Sequence, residues 1–165
     1  MLTWFRYIEH LLIPPTFPKC FTSPLDLTVA AIRNFSRQSL MMAGRTLGPA
    51  AVLRPSEAQY QDELYRACYD LLGAVHLTSE WPGSSRGRID FQVKSKRWGF
   101  EVVRDGANLD EHLSRFGRGG IYEPLLQSQE IQEYVVVDFR SPTAPRPKPR
   151  SKLVQAITYS FFNSI

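Results

Sequence analysis

Between Arg88 and Arg104 the apolar residues recur with a period of two. Ile89, Phe91 and Val93 alternate with Asp90 and Gln92, and Trp98, Phe100 and Val102 alternate with Gly99 and Glu101. This spacing predicts a half-buried hairpin. A two-residue turn at Ser95-Lys96 pairs Val93 with Trp98, Phe91 with Phe100 and Ile89 with Val102, all on the apolar face. On the other face the same register sets Asp90 opposite Glu101, with Cβ atoms about 5 Å apart.

The pattern elsewhere predicts the rest of the fold. From Arg54 to Leu72 the stripe Tyr60, Leu64, Ala67, Cys68 and Leu71 has helical spacing, with Pro55 and Ser56 as its start and Gly73 as its stop. A shorter helix is expected near residues 25–34, and a loop over 35–55. A strand at Val75–Ser79 precedes the hairpin. Asp105-Gly106 ends the hairpin, and Asn108 with Glu111 has the spacing of a capping box opening a helix to about Arg115. A turn at Phe116–Gly120 leads to a short helix through Leu125-Leu126. Tyr134–Phe139 reads as a buried strand, and Leu153–Phe162 as a last one. Helix, three strands, helix and two strands predict an α/β domain: a mixed β-sheet with a central antiparallel hairpin flanked by helices. The domain should span residues 54–165, after an N-terminal arm (1–23) and a helical or loop extension (24–53).

Composition changes this picture little. The chain has 165 residues, of which 43% are hydrophobic and 22% charged, enough for one domain with a core. Lys and Arg outnumber Asp and Glu by 20 to 16, a mild excess that permits a nucleic-acid partner without requiring one. Cys20 and Cys68 lie too far apart for a CxxC site, and His10, His76 and His112 lack ligand spacing, so no zinc site or disulfide framework is expected. The apolar stretch Met1–Pro14 is interrupted by Arg6, Glu9 and His10, which disfavours a cleaved signal. No apolar run reaches 18 residues, so no membrane span is expected.

Like charges opposed across a sheet repel, so Asp90 and Glu101 suggest a cation held between them, as at magnesium sites that handle phosphate. Lys94, Lys96 and Arg97 at the hairpin tip, with Arg115 and Arg118 around the glycine-rich turn, suit contact with a phosphate backbone. The amides of Gly117, Gly119 and Gly120 are further candidates for an anion. The run from Arg140 to Lys152 holds five basic residues, four prolines and no acid, and its 141–149 stretch is a candidate docking loop for a protein partner or a nuclear-import signal.

The segments Glu57-Ala-Gln-Tyr-Gln-Asp-Glu-Leu-Tyr65, Gly87-Arg-Ile-Asp-Phe91, Trp98-Gly-Phe-Glu-Val-Val-Arg-Asp-Gly106, Glu111-His112 with Arg115-Phe116, and Val137-Asp-Phe-Arg140 resemble the nuclease-type C-terminal domain of Crinkler effector proteins, a branch of the PD-(D/E)XK, restriction-endonuclease-like fold. The resemblance spans about residues 54–162. It implies a Mg2+- or Mn2+-dependent nuclease acting on DNA in a nucleus, with Asp90, Glu101 and the Val102 carbonyl as metal ligands. The third acid would come from the long helix, as Glu63 or Glu57. The family's lysine, two residues after the glutamate, is here Val103. Arg88, cross-strand from Val103, is the replacement cation, with Gln92 as a polar neighbour. Arg104 and His112 join the expected nucleic-acid contacts. Three readings stay open: a metal-dependent endonuclease, a catalytically inactive nucleic-acid-binding domain of the same fold, and a protein-interaction module.

Overall fold

The computed structural model describes residues 16–42, 55–73, 77–82, 88–141, 144 and 156–160. Two helices, α1 (Pro24–Arg33) and α2 (Arg37–Met42), precede the long helix α3 (Glu57–Leu72). Then come β1 (Leu77–Pro82), β2 (Arg88–Val93), β3 (Trp98–Arg104), α4 (Leu109–Arg115), α5 (Glu123–Gln127), β4 (Glu133–Arg140) and β5 (Ala156–Ser160). The expected order holds from α3 onward, but α2 replaces part of the loop expected over 35–55. Leu40 on α2 is buried, and packing on α3 holds this short helix where its sequence alone gives little signal.

The five strands form one sheet in the order β1-β2-β3-β4-β5. β1, β2 and β3 run antiparallel, while β4 lies parallel to β3 and β5 parallel to β4. The parallel step from β3 to β4 needs a crossover, which α4 and α5 supply. The sheet therefore carries helices on both faces, each over its own core. Phe91, Val93, Trp98, Phe100, Val102, Val135, Val137 and Phe139 pack under α1–α3, while Val103, Val136, Ile89 and Ile131 pack with Leu109, Phe116, Tyr122 and Leu125 on the α4–α5 side. Stacked rings tie the first layer together: Phe91 on Phe100 and Tyr60 on Phe139, each with centroids 4.6 Å apart.

Local chemistry sets the ends of α3. Ser56 accepts from the Gln59 N–H while the Gln59 side chain accepts from the Ser56 N–H, a complete capping box. Gly73, at φ +76°, closes the other end. The buried stripe is Tyr60, Glu63, Leu64, Ala67, Cys68 and Leu72, so Leu72 takes the deep position expected of Leu71. Burial pushes the Cys68 thiol up, which suits a core residue.

Three expectations about the hairpin and its exit are corrected. The pairing of Val93 with Trp98 and Phe91 with Phe100 is as expected, but the connection is one 3-10 turn, Lys94–Lys96, closed by Arg97 at φ 57°. A two-residue hairpin turn of the favoured type requires positive φ at both central residues or a glycine, and Ser95-Lys96 offers neither. Ile89 does not join Phe91 and Val93. It belongs to the opposite cluster, with its Cδ1 over Gly99, where a Cβ would come within 2.5 Å. The β2–β3 ladder ends at Phe91–Phe100, so the alternation of β2 breaks at Asp90. Finally, Asn108 is the N-cap of α4 but makes no side-chain cap bond. It sits in the left-handed region at φ 51°, so the expected capping box is not formed.

Candidate functional site

β2 and β3 part where the two acids lie. The Asp90 Oδ2 accepts from the Val102 N–H at 2.7 Å, so a side chain takes a donor on the strand facing β2. Oδ1 has no hydrogen bond among the described residues. Burial, with the Glu101 carboxylate beside it, pushes the Asp90 carboxyl up to about 7. Glu57 adds to that shift, while the Val102 N–H and His112 oppose it.

Glu101 is 1% exposed and sits in a ring of donors carried by the crossover. Oε1 accepts from the Tyr122 hydroxyl. Oε2 lies 2.8 Å from His112 Nδ1 and 3.6 Å from Arg115 Nη1. Arg115 also bonds Glu111 at 3.0 Å, which fixes its guanidinium along α4. Burial and the neighbouring Glu101 push the Tyr122 phenol above its usual range, so it stays a neutral donor.

The glycine-rich turn makes this ring possible. The Tyr122 N–H bonds the Arg115 carbonyl at 2.8 Å, folding the chain back on α4. A Cβ at Gly120 would lie 2.3 Å from the carbonyl oxygens of both Ser114 and Arg115, so this close approach requires glycine. The three amides expected to hold an anion are already used. Gly117 donates to Ser114 O, Gly120 to Gly117 O and Gly119 to Glu123 Oε2. The turn positions Tyr122 and is not an anion nest.

The other expected site residues are distributed as follows. Glu63 lies at the junction of α1, α2 and α3, accepting from the Ser36 N–H and, at 2.7 and 3.1 Å, from Arg66. It clamps the helical extension, whereas Glu57 is the helix acid whose charge reaches Asp90. Val103 is fully buried in the α4–α5 core. Arg88 belongs to β2, and its side chain lies outside the described residues. Gln92 is 3% exposed and donates to the Glu130 carbonyl at 2.7 Å, which ties β2 to the turn after α5. Arg104 pairs with Asp105 at 3.3 Å. Lys94, Lys96, Arg97 and Arg118 are exposed, with the Lys96 Nζ 4.7 Å from the centroid of the Phe17 ring. His112 and Arg115, expected to meet nucleic acid, instead hold Glu101. The basic 141–149 loop falls almost wholly outside the described residues.

The sequence pattern does not single out Tyr122, Asp138 or Arg140. Asp138 is fully buried, accepting from the Gly106 N–H at 2.9 Å and from Arg140 Nε at 2.6 Å. This pair holds the Asp105-Gly106 turn that launches α4, and Asp105 in turn accepts from the Ser141 N–H at 2.7 Å. The sequence signals were the glycine two residues before Tyr122 and two charges within the apolar run of β4.

Among the described residues no cluster of three or more His, Cys, Asp or Glu is placed to hold a metal, and no helix is long and apolar enough to cross a membrane. Two carboxylates are nevertheless within the usual protein share of a magnesium site, which keeps several waters. The Asp90 Oδ1, without a hydrogen bond among the described residues and beside a like charge, fits a cation. The fold and site define a mixed-sheet α/β domain with a buried carboxylate pair. The chain matches no family model, no curated protein and no solved structure.

Proposed function

We propose that this chain is a PD-(D/E)XK, restriction-endonuclease-like domain of the Crinkler nuclease type, hydrolysing phosphodiester bonds of DNA with Mg2+ or Mn2+. The carrying observation is the meeting of Asp90 and Glu101 where β2 and β3 separate, with the charge of Glu57 reaching Asp90. The helix, three-strand meander, crossover and parallel strand supply the order that this fold requires. Asp90 and Glu101 would hold the ion, which when bound supplies charge neutralisation at phosphate and an activated water. Arg115 brings positive charge to the Glu101 carboxylate and His112 bonds it, while Tyr122 anchors the second oxygen. The exposed Lys94, Lys96, Arg97 and Arg118 would track the backbone without reading sequence. A Crinkler-type effector of this kind would act in a nucleus.

A second reading is favoured by one observation. Both Glu101 oxygens already face donors, and Val103 supplies no cation, as suits a nuclease fold converted to a DNA-binding domain. Cleavage of plasmid and single-stranded DNA with Mg2+ or Mn2+, wild type beside Asp90→Ala and Glu101→Gln, separates the two. The nuclease reading expects metal-dependent cutting that both substitutions abolish. No cutting, with salt-dependent DNA binding retained, would refute it in favour of the second.

A further inference from the structure

At the hairpin tip a cavity of about 360 Å³ is lined by Gln92, Lys94, Arg97, Ser128, Gln129 and Glu130. Its volume lies within the range of small-molecule sites, roughly 300–1,000 Å³. Its one nearly buried polar side chain is Gln92. The amide orientation is fixed because its partner, the Glu130 carbonyl, can only accept. The Oε1 acceptor and the second N–H of Gln92 therefore have no partner among the described residues. Lys94 and Arg97 bring two positive charges to the rim, and Glu130 and Ser128, bonded to each other at 3.1 Å, form the opposite wall. Arg97 and Gln129 both hold left-handed backbone, at φ 57° and 59°, and their side chains approach to 3.5 Å across the cavity.

We propose that this cavity is a nucleotide subsite: the Gln92 amide reads the edge of one unstacked base, and Lys94 and Arg97 hold its phosphate. A vicinal donor and acceptor is what a glutamine offers a base, and adenine with its N6 donor and N7 acceptor is the best-matched edge. Gln92 lies two residues from Asp90 on β2, roughly 7 Å along the strand. That is one to two nucleotides from the carboxylate pair at about 3.4 Å per nucleotide. The inference rests on the nucleic-acid reading above and adds a base preference to it, but its test needs neither metal nor cleavage.

The test measures binding of the four 5′-nucleoside monophosphates and of short dA, dC, dG and dT oligomers to the full chain in EDTA. Wild type is compared with Gln92→Met and Arg97→Asn. Asparagine tolerates the left-handed backbone at 97. Wild type is expected to prefer the adenine ligands, with the dA oligomer tighter than 5′-AMP. Gln92→Met should erase the preference by roughly 5- to 100-fold, and Arg97→Asn should weaken all four bases alike. Gln92→Met removes the donor to Glu130, so its folding is checked by thermal melting. If it does not fold, Gln92→Glu, which loses the amide donors, is measured in its place. A flat base profile, a preference unchanged by Gln92 substitution, or an oligomer no tighter than 5′-AMP would overturn the proposal. DNA cleavage with no base preference would overturn it while leaving the nuclease reading intact, and a preference without cleavage would do the reverse.

Discussion

Asp90→Asn should raise stability, and increasingly so as pH rises. The Asp90 carboxyl stands at about 7 in the folded chain against 3.8 as its ordinary value. A carboxyl raised on folding is neutral in both states below pH ~4, so it contributes no penalty there. Between pH ~4 and 7 the unfolded chain ionises first, and the folded chain loses stability progressively until its own carboxyl ionises. A gap of about three pH units corresponds to a ceiling of ~4 kcal/mol at ~1.36 kcal/mol per unit. Asp90 is only partly buried, and solvent reduces the burial and Glu101 effects, so ~2 kcal/mol is the working figure. Asparagine keeps an acceptor for the Val102 N–H and turns a neutral donor toward Glu101. Urea unfolding of wild type and variant should therefore give similar free energies near pH 4 and a gap of about 2 kcal/mol in the variant's favour at pH 8. Other titrating groups are common to both proteins and largely cancel in the difference. Two stability curves that stay parallel across pH 4–8 would refute the raised Asp90 carboxyl.

Tyr122→Phe removes a donor to the buried Glu101 and should lower stability by about 1.5–3 kcal/mol, the scale of a hydrogen bond to a charged group, in the same unfolding assay. Gly120→Ala puts a methyl against two backbone carbonyls that cannot step aside. It should cost at least about 2 kcal/mol, with loss of hydrogen-exchange protection at the Tyr122 N–H. Arg140→Met leaves Asp138 buried without its cation and should cost about 3–5 kcal/mol by chemical denaturation, whereas Arg118→Met, on an exposed side chain, should stay within about 0.5 kcal/mol.

The hairpin register was legible because ring-bearing positions repeat at strand spacing, and a shift of one residue would have put Phe91 and Phe100 on the wrong face. The turn joining the strands was not, since a 3-10 turn with one left-handed arginine preserves the same pairing as a tighter turn. Periodicity also misplaced Ile89. Its position depends on Asp90 leaving the ladder to bond Val102 and on Gly99 leaving room beneath it, both tertiary facts. Register brought Asp90 and Glu101 into view, but the ladder ends one pair short of them, and the bond from the Val102 N–H to Asp90 and the partners of Glu101 are tertiary facts. His112 and Arg115 reach Glu101 from α4, and Tyr122 only after the chain doubles back at Gly120, and a lone helical histidine carries no such information. Between the two helix acids, spacing could not choose. Glu63 is the more buried, but its burial serves the α1–α3 junction, and the charge that reaches Asp90 is that of Glu57.

Strand alternation explains why the cation near Glu101 comes from α4. Glu101 and Val103 lie two apart on β3 and share the face covered by the crossover. A lysine at 103 would have to leave the apolar cluster formed by Leu109, Phe116 and Val136, at the cost of desolvating its charge or opening that layer. Valine there lets the layer close. The same closure lays α4 against β3, so that His112 and Arg115, three apart on one helical face, point their nitrogens at the carboxylate. The apolar residue at 103 and the two helical side chains beside Glu101 are thus consequences of one packing arrangement. Val103→Lys should displace α4 and loosen the Tyr122 and His112 contacts to Glu101 together, read as lost hydrogen-exchange protection along α4.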